Sequence, residues 1–213
     1  MPSAVVSIGG LYAITPDEAD TAELLRKVRL ALQGGARVVQ YRNKAADVAL
    51  RLKQAEALRE LTREFSVALI VNDDAALAQQ VDADGVHLGG EDGSIAAARA
   101  LLGGKLIGVS CYNRLALAQE AVRQGADYVA FGSFFASTVK PQAVVATLEL
   151  LRQTCRELTI PIVAIGGITA QNGGTLIKAG ADALAVISAV FSAPDIEGAA
   201  REFSNLFEQG KPA

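Results

Sequence analysis

Residues able to hold phosphate groups recur just after short apolar runs in this 213-residue chain. Gln40-Tyr41-Arg42-Asn43-Lys44 follows one such run. In extended backbone Gln40, Arg42 and Lys44 share a face, with Tyr41 and Asn43 between them. Two cations on one face suit a phosphate or diphosphate. Asn72-Asp73-Asp74 follows the next run, and Glu91-Asp92 closes the one after. Carboxylates at neighbouring strand ends fit a shared Mg²⁺, a hard cation that completes its shell with water and phosphate oxygens. They fit helix termini too: Asp74 reads best as an N-cap, and Glu91 and Asp92 serve equally as first-turn acids. The residues alone leave both readings open. Gly166-Gly167 and Ile187-Ser188 end the last two runs, where glycine lets backbone N–H groups approach a phosphate and Ser188 would open a short helix.

Other candidates are weaker. Ser110 ends the fifth run and could donate to a phosphate oxygen, but no G-x-S-x-G elbow surrounds it. Cys111 has no evident base partner. His87 is the only histidine. It sits inside an apolar run, so a packed imidazole is at least as natural as a proton carrier. Phe131 to Pro141 forms the longest of these loops. It carries Ser137, Thr138, Val139 and Lys140 beside Phe134 and Phe135, a composition that suits closure over a ligand.

Such residues need a frame to bring them together. Short Val- and Ile-rich runs occupy residues 11–15, 38–41, 68–71, 85–88, 106–110, 128–131, 162–165 and 183–187. They do not alternate apolar with polar, which marks strands buried on both faces, as in a parallel sheet. Amphipathic stretches separate them, near residues 24–32, 50–61, 75–81, 95–102, 115–124, 143–158, 174–179 and 196–207. Gly35-Ala36-Arg37, Ala83-Asp84-Gly85, Gly125-Ala126-Asp127 and Gly180-Ala181-Asp182 repeat one connection, a helix stop followed by a strand start. Eight βα units over 213 residues leave about 27 each, near the lower limit for a single-domain (β/α)₈ barrel spanning 1–213. A doubly wound open sheet is the runner-up, but no G-x-G-x-x-G follows the first strand.

Composition narrows the partners. The chain is 51% hydrophobic with a net charge of −3, so it is neither disordered nor built around a basic nucleic-acid surface. Aromatics are 5% and Trp is absent, which disfavours base-stacking platforms. Two cysteines make no disulfide framework, and no apolar stretch is long enough to span a bilayer. With no basic residue before Arg26, the expectation is a soluble cytoplasmic protein acting on small phosphorylated molecules; association into a homo-oligomer stays open.

Taken in order, these pieces are recognisable. The chain resembles the thiamine-phosphate synthase family over nearly its full length. The resemblance is carried by Leu11-Tyr12-Ala13-Ile14-Thr15, Gln40-Tyr41-Arg42-Asn43-Lys44, Asn72-Asp73, His87-Leu88-Gly89 with Glu91-Asp92, and Gly108-Val109-Ser110. Phe131-Gly132, Lys140-Pro141, Ile165-Gly166-Gly167 and Val186-Ile187-Ser188 complete it. It implies a TIM barrel joining a hydroxymethylpyrimidine diphosphate to a thiazole phosphate with release of diphosphate. Gln40, Tyr41, Arg42, Asn43, Lys44, Asn72, Ser110 and Lys140 would hold the pyrimidine diphosphate, with Arg42, Lys44 and Lys140 acting on its departure. Asp73 and Asp92 would ligate Mg²⁺. Ser137, Thr138, Val139, Gly167, Ile187 and Ser188 would hold the thiazole phosphate. Gly90, Val139 and Tyr112-Asn113 stand where Gln, Thr and a His are usual. A thiazole tautomerase and a non-catalytic phosphate-binding barrel are the alternatives; the first would want a His near Ser110, the second would not need Asp73 and Asp92 to converge.

Overall fold

A computed structural model describes residues 7–89, 94–135 and 145–210. Eight parallel strands close into a barrel in sequence order. They are β1 (Gly10–Ile14), β2 (Val38–Tyr41), β3 (Ala68–Asn72), β4 (Gly85–Leu88), β5 (Leu106–Tyr112), β6 (Tyr128–Phe131), β7 (Ile162–Ile165) and β8 (Ala183–Val186). The runs read from sequence meet these strands to within a residue or two. Outside lie α1 (Thr21–Gln33), α2 (Val48–Glu64), α3 (Ala75–Gln80), α4 (Ile95–Leu102), α5 (Leu115–Arg123), α6 (Leu148–Glu157), α7 (Ala170–Lys178), a short α8 (Ser188–Phe191) and α9 (Ile196–Gly210). The closed barrel replaces the open-sheet alternative, and α8 opens at Ser188 as expected.

Two helix starts differ from the sequence reading. α6 begins at Leu148 because the Thr147 side chain accepts from Leu150 N, and Ala146 N is drawn off to Ser133 O. α7 begins four residues early, at a capping box of Thr169 and Asn172. Gly173 and Gly174 hide that turn in the sequence. Gly173 is needed for packing, since a Cβ there would lie 2.7 Å from Leu184 Cδ1 in β8.

The repeated connection falls at the even-numbered strands, at their N-terminal ends. Asp84, Asp127 and Asp182 each clasp the preceding strand twice. The backbone N–H donates to Leu69 O, Ile107 O and Ile162 O, while the carboxylate accepts from the N–H of the same three residues. Arg59 and Arg99 add ion pairs to Asp84 and Asp127 at 2.7 and 2.6 Å. At β2 the position is Arg37, which keeps only the backbone half, to Leu11 O. The end of the barrel carrying these clasps is opposite the strand ends where candidate site residues lie, a division of stability from chemistry that this fold favours.

Two apolar cores result. One lies between barrel and helices; the smaller fills the barrel with Tyr12, Ile14, Val38, Ala68, Ile70, Tyr128, Ala130, Val163, Ala183 and Ala185. The small residues leave room for the two tyrosines. Gly108 is the limiting case: a Cβ there would fall 1.9 Å from Tyr128 Cζ.

Candidate functional site

The C-terminal mouth of the barrel gathers most of the predicted residues. Gln40 lies one residue before the end of β2 and is buried. Arg42 and Lys44 follow in a loop held from β1. The Thr15 hydroxyl donates to Arg42 O at 2.8 Å and accepts from Arg42 N at 2.9 Å. Asp17 Oδ1 accepts from Lys44 N at 2.8 Å and meets the Arg42 guanidinium at 3.4 Å. Lys44 reaches across to β3, where its Nζ lies 3.5 Å from Asp73 Oδ2. One strand end therefore presents two cations, each with a carboxylate beside it.

The side chains of Tyr41 and Asn43 turn toward α2. Tyr41 Oη donates to Gln54 Oε1 at 2.9 Å, and Asn43 Nδ2 donates to Gln54 Oε1 at 3.0 Å and to Glu18 O at 2.7 Å. Gln54 Nε2 also donates to Glu18 O. Alternation in an extended segment sends neighbours to opposite faces, so these two brace the loop that Arg42 and Lys44 use. Thr15, Asp17 and Gln54 belong to that brace and were missed. Thr15-Pro16-Asp17 directly after a strand was the available signal; Gln54 on a helix gave none.

Asn72 ends β3 opposite His87 on β4. Asp73 follows with φ of 64°, a left-handed conformation that Asp and Asn tolerate better than most residues, and its N–H donates to His87 O. Asp74 accepts from Leu77 N and caps α3, as expected. Asp92, the other predicted metal ligand, lies outside the described residues, with Gly90 and Glu91.

Under the mouth a line of polar groups crosses the inside of the barrel. Gln40 Nε2 donates to Tyr12 Oη at 2.9 Å. Tyr12 Oη and Tyr128 Oη are 2.8 Å apart. His87 Nδ1 lies 3.1 Å from Tyr128 Oη, and His87 Nε2 lies 2.9 Å from Ser110 Oγ. His87 is thus packed, at 8% exposure, with both ring nitrogens engaged. Burial pushes both tyrosine hydroxyls well above the usual phenol range, so they remain neutral donors and acceptors. Tyr12 and Tyr128 escaped sequence reasoning because each stands within an apolar run. Cys111 points the other way, into the outer core, where burial pushes its thiol up to about 12. It is no nucleophile.

The second half of the mouth lies over β6 to β8. Phe134 N and Phe135 N donate to Ile165 O and Gly166 O, which fastens the start of the β6 loop to the end of β7. Gly166 has φ of 102°, and a Cβ there would sit 2.0 Å from Ser133 Oγ, so the two loops touch backbone to side chain. Phe134 is buried in the core and anchors the loop. Gly167 also has positive φ, at 63°, and its carbonyl accepts from Asn172 Nδ2. Ile187 N-caps α8, with Ser188 exposed in its first turn and Val190 and Phe191 buried beneath. Ser137, Thr138, Val139 and Lys140 lie outside the described residues. Tyr112, at 42% exposure with φ of 55° beside a bulge in β5, stands at the rim between the two halves.

The sequence model of the family described as thiamine monophosphate synthase matches residues 11–190. A curated relative from Methylobacillus flagellatus, named thiamine-phosphate synthase, is 56% identical over 201 residues, covering 94% of this chain and 96% of its own. One of the same name from Thiobacillus denitrificans is 54% identical over 200 residues, covering 93% and 95%. Among solved structures, thiamine phosphate pyrophosphorylase from Pyrococcus furiosus superposes with a TM-score of 0.86 at 39% identity, covering 95% of this chain and 97% of that one.

Proposed function

The chain belongs to the thiamine monophosphate synthase family, a family of transferases in thiamine biosynthesis, and from that premise we propose how its barrel mouth divides the work. One half takes 4-amino-2-methyl-5-(diphosphooxymethyl)pyrimidine, held by Gln40, Arg42, Lys44, Asn72, Ser110 and Lys140. The other takes the phosphate of 4-methyl-5-(2-phosphoethyl)thiazole, or its carboxylate, at Gly167, Ile187 and Ser188 together with Ser137, Thr138 and Val139. The observation that carries this reading is the gathering of Arg42, Lys44 and Asp73 at the ends of the neighbouring strands β2 and β3 in a chain of this family.

In this scheme the bond from the pyrimidine methylene carbon to the diphosphate oxygen breaks first. The electron pair leaves with diphosphate. The thiazole nitrogen then uses its lone pair to form the new C–N bond, giving thiamine phosphate, and a carboxylated thiazole also releases CO₂. Arg42, Lys44 and Lys140 stabilise the charge that builds on the departing group. No proton changes hands at the bond, which agrees with a His87 engaged by Tyr128 and Ser110. Asp17 holds Arg42 and the Lys44 backbone in position before the ligand arrives. A barrel closed under the mouth by Tyr12, Tyr128 and Ile70 keeps water from reaching the carbon from below.

Mg²⁺ fits the donor chemistry here. Asp73 offers hard carboxylate oxygens beside a cationic loop built for phosphate oxygens. Asp73 and Asp92 would hold the ion, which when bound neutralises charge on the leaving diphosphate.

Incubating the purified protein with both substrates and Mg²⁺ tests the proposal. Thiamine phosphate and diphosphate are expected in equal amounts. No product with or without Mg²⁺ would refute it.

A further inference from the structure

The polar line inside the barrel is anchored at one end, where the Gln40 amide N–H donates to Tyr12. Along the Tyr12–Tyr128 and Tyr128–His87 links either partner can donate, and the arrangement in which every hydroxyl proton finds an acceptor runs from Tyr12 to Tyr128 to His87 Nδ1. His87 then carries its own proton on Nε2 and gives it to Ser110 Oγ. At the two ends, the Gln40 carbonyl oxygen is left to accept from a ligand and the Ser110 hydroxyl to donate to one. Turning the Gln40 amide reverses all of them: Tyr12 must then donate to Gln40 Oε1, Tyr128 to Tyr12, His87 Nδ1 to Tyr128 and Ser110 to His87 Nε2, because buried groups that meet lone pair to lone pair lose their hydrogen bond without regaining water. The two ends are therefore not independent.

We propose that Tyr128 is a positioning residue that couples Gln40 to Ser110, so that the site reads a donor on the ring and an acceptor elsewhere on the substrate as one unit. The idea rests on the function proposed above. In that substrate the exocyclic amine is the only hydrogen-bond donor, since the ring nitrogens and the ionised diphosphate oxygens accept. The amine is the natural partner of Gln40 Oε1, and a diphosphate oxygen or ring nitrogen that of Ser110. A ring with an oxo group in place of the amine needs a donor from Gln40. Turning the amide to supply one reverses the chain, and Ser110 then meets its acceptor with a lone pair. Gly108 is part of the device, because only its missing Cβ lets the Tyr128 ring lie across β5 to reach both neighbours.

The test compares kcat/KM for the 4-amino substrate and its 4-oxo analogue in the wild-type chain, in Tyr128→Phe and in Tyr12→Phe. Each variant removes one hydroxyl with both of its links and keeps the ring. The preference for the amine should fall about tenfold in both, the worth of one hydrogen bond, while KM for the thiazole phosphate stays put. A merely structural role lowers both rates together; a preference unchanged in both variants overturns the proposal. A wild-type chain that makes no product from the amino substrate contradicts the function instead. The coupling is then read by nitrogen NMR of the single histidine. A wild-type Nε2–H tautomer that becomes a mixture in Tyr128→Phe supports it; an Nδ1–H imidazole in the wild type, or one tautomer in both proteins, overturns it.

Discussion

Asp73 shows how backbone and chemistry combine in one residue. It leaves β3 in a left-handed conformation that brings its carboxylate beside Lys44. Asp73→Asn keeps the tolerance for positive φ and removes the charge. We expect kcat to fall about 100-fold or more, with a melting temperature close to wild type. A Mg²⁺-dependent rate near normal would remove Asp73 from the metal. The same variant in alanine confounds the two effects, since Ala strains at φ of 64°. Cys111 gives a simpler test. Its buried thiol, pushed up to about 12, should resist alkylation at pH 8 in the folded protein and react only on unfolding. Rapid modification of Cys111 under native conditions would contradict its placement. At this scale the meeting of Lys44 and Asp73 at neighbouring strand ends was legible, because strand ends gather side chains at one mouth of such a barrel. The turn of the Tyr41 and Asn43 side chains toward α2 was not, because sequence order alone does not say which face of a strand-end segment turns to the mouth.

The helices and strands were the most readable level, and their errors have local causes. Runs such as β2, β4, β6 and β7 came out residue for residue, since strands buried on both faces have no polar interruption to blur their ends. α7 was shortened by a glycine pair that packing against β8 requires. The repeated Gly-Ala-Asp was read as a turn. Its fuller role, the Asp clasp before β4, β6 and β8, needed the register between neighbours. Two predictions follow from packing at this level. Asp127→Ala strips Ile107 N and Arg99 of a shared acceptor, and should cost about 1–3 kcal/mol in urea unfolding while leaving kcat intact, because it sits at the end of the barrel away from the mouth. An unchanged urea midpoint would show that the clasp contributes nothing. Gly108→Ala forces Tyr128 aside and should cost about 3 kcal/mol or more, with an altered near-ultraviolet tyrosine signal. A variant as stable as wild type would mean that Tyr128 does not need the gap.

At the scale of the molecule, eight parallel strands and the helices between them close into one barrel within 213 residues. Among the described residues no helix is long and apolar enough to cross a membrane. Closed barrel topology brings Gln40 on β2 and Ser110 on β5 within reach of one hydrogen-bonded line, a relation no linear motif displays. The central claim is that the mouth is split, diphosphate over β2 to β5 and thiazole phosphate over β6 to β8. A crystal structure with thiamine phosphate, diphosphate and Mg²⁺ bound tests it most directly. The account predicts diphosphate against Arg42, Lys44 and the ion at Asp73, with the ester phosphate at Gly167, Ile187 and Ser188. Diphosphate seated over β7 and β8, or an ion away from Asp73, would contradict it.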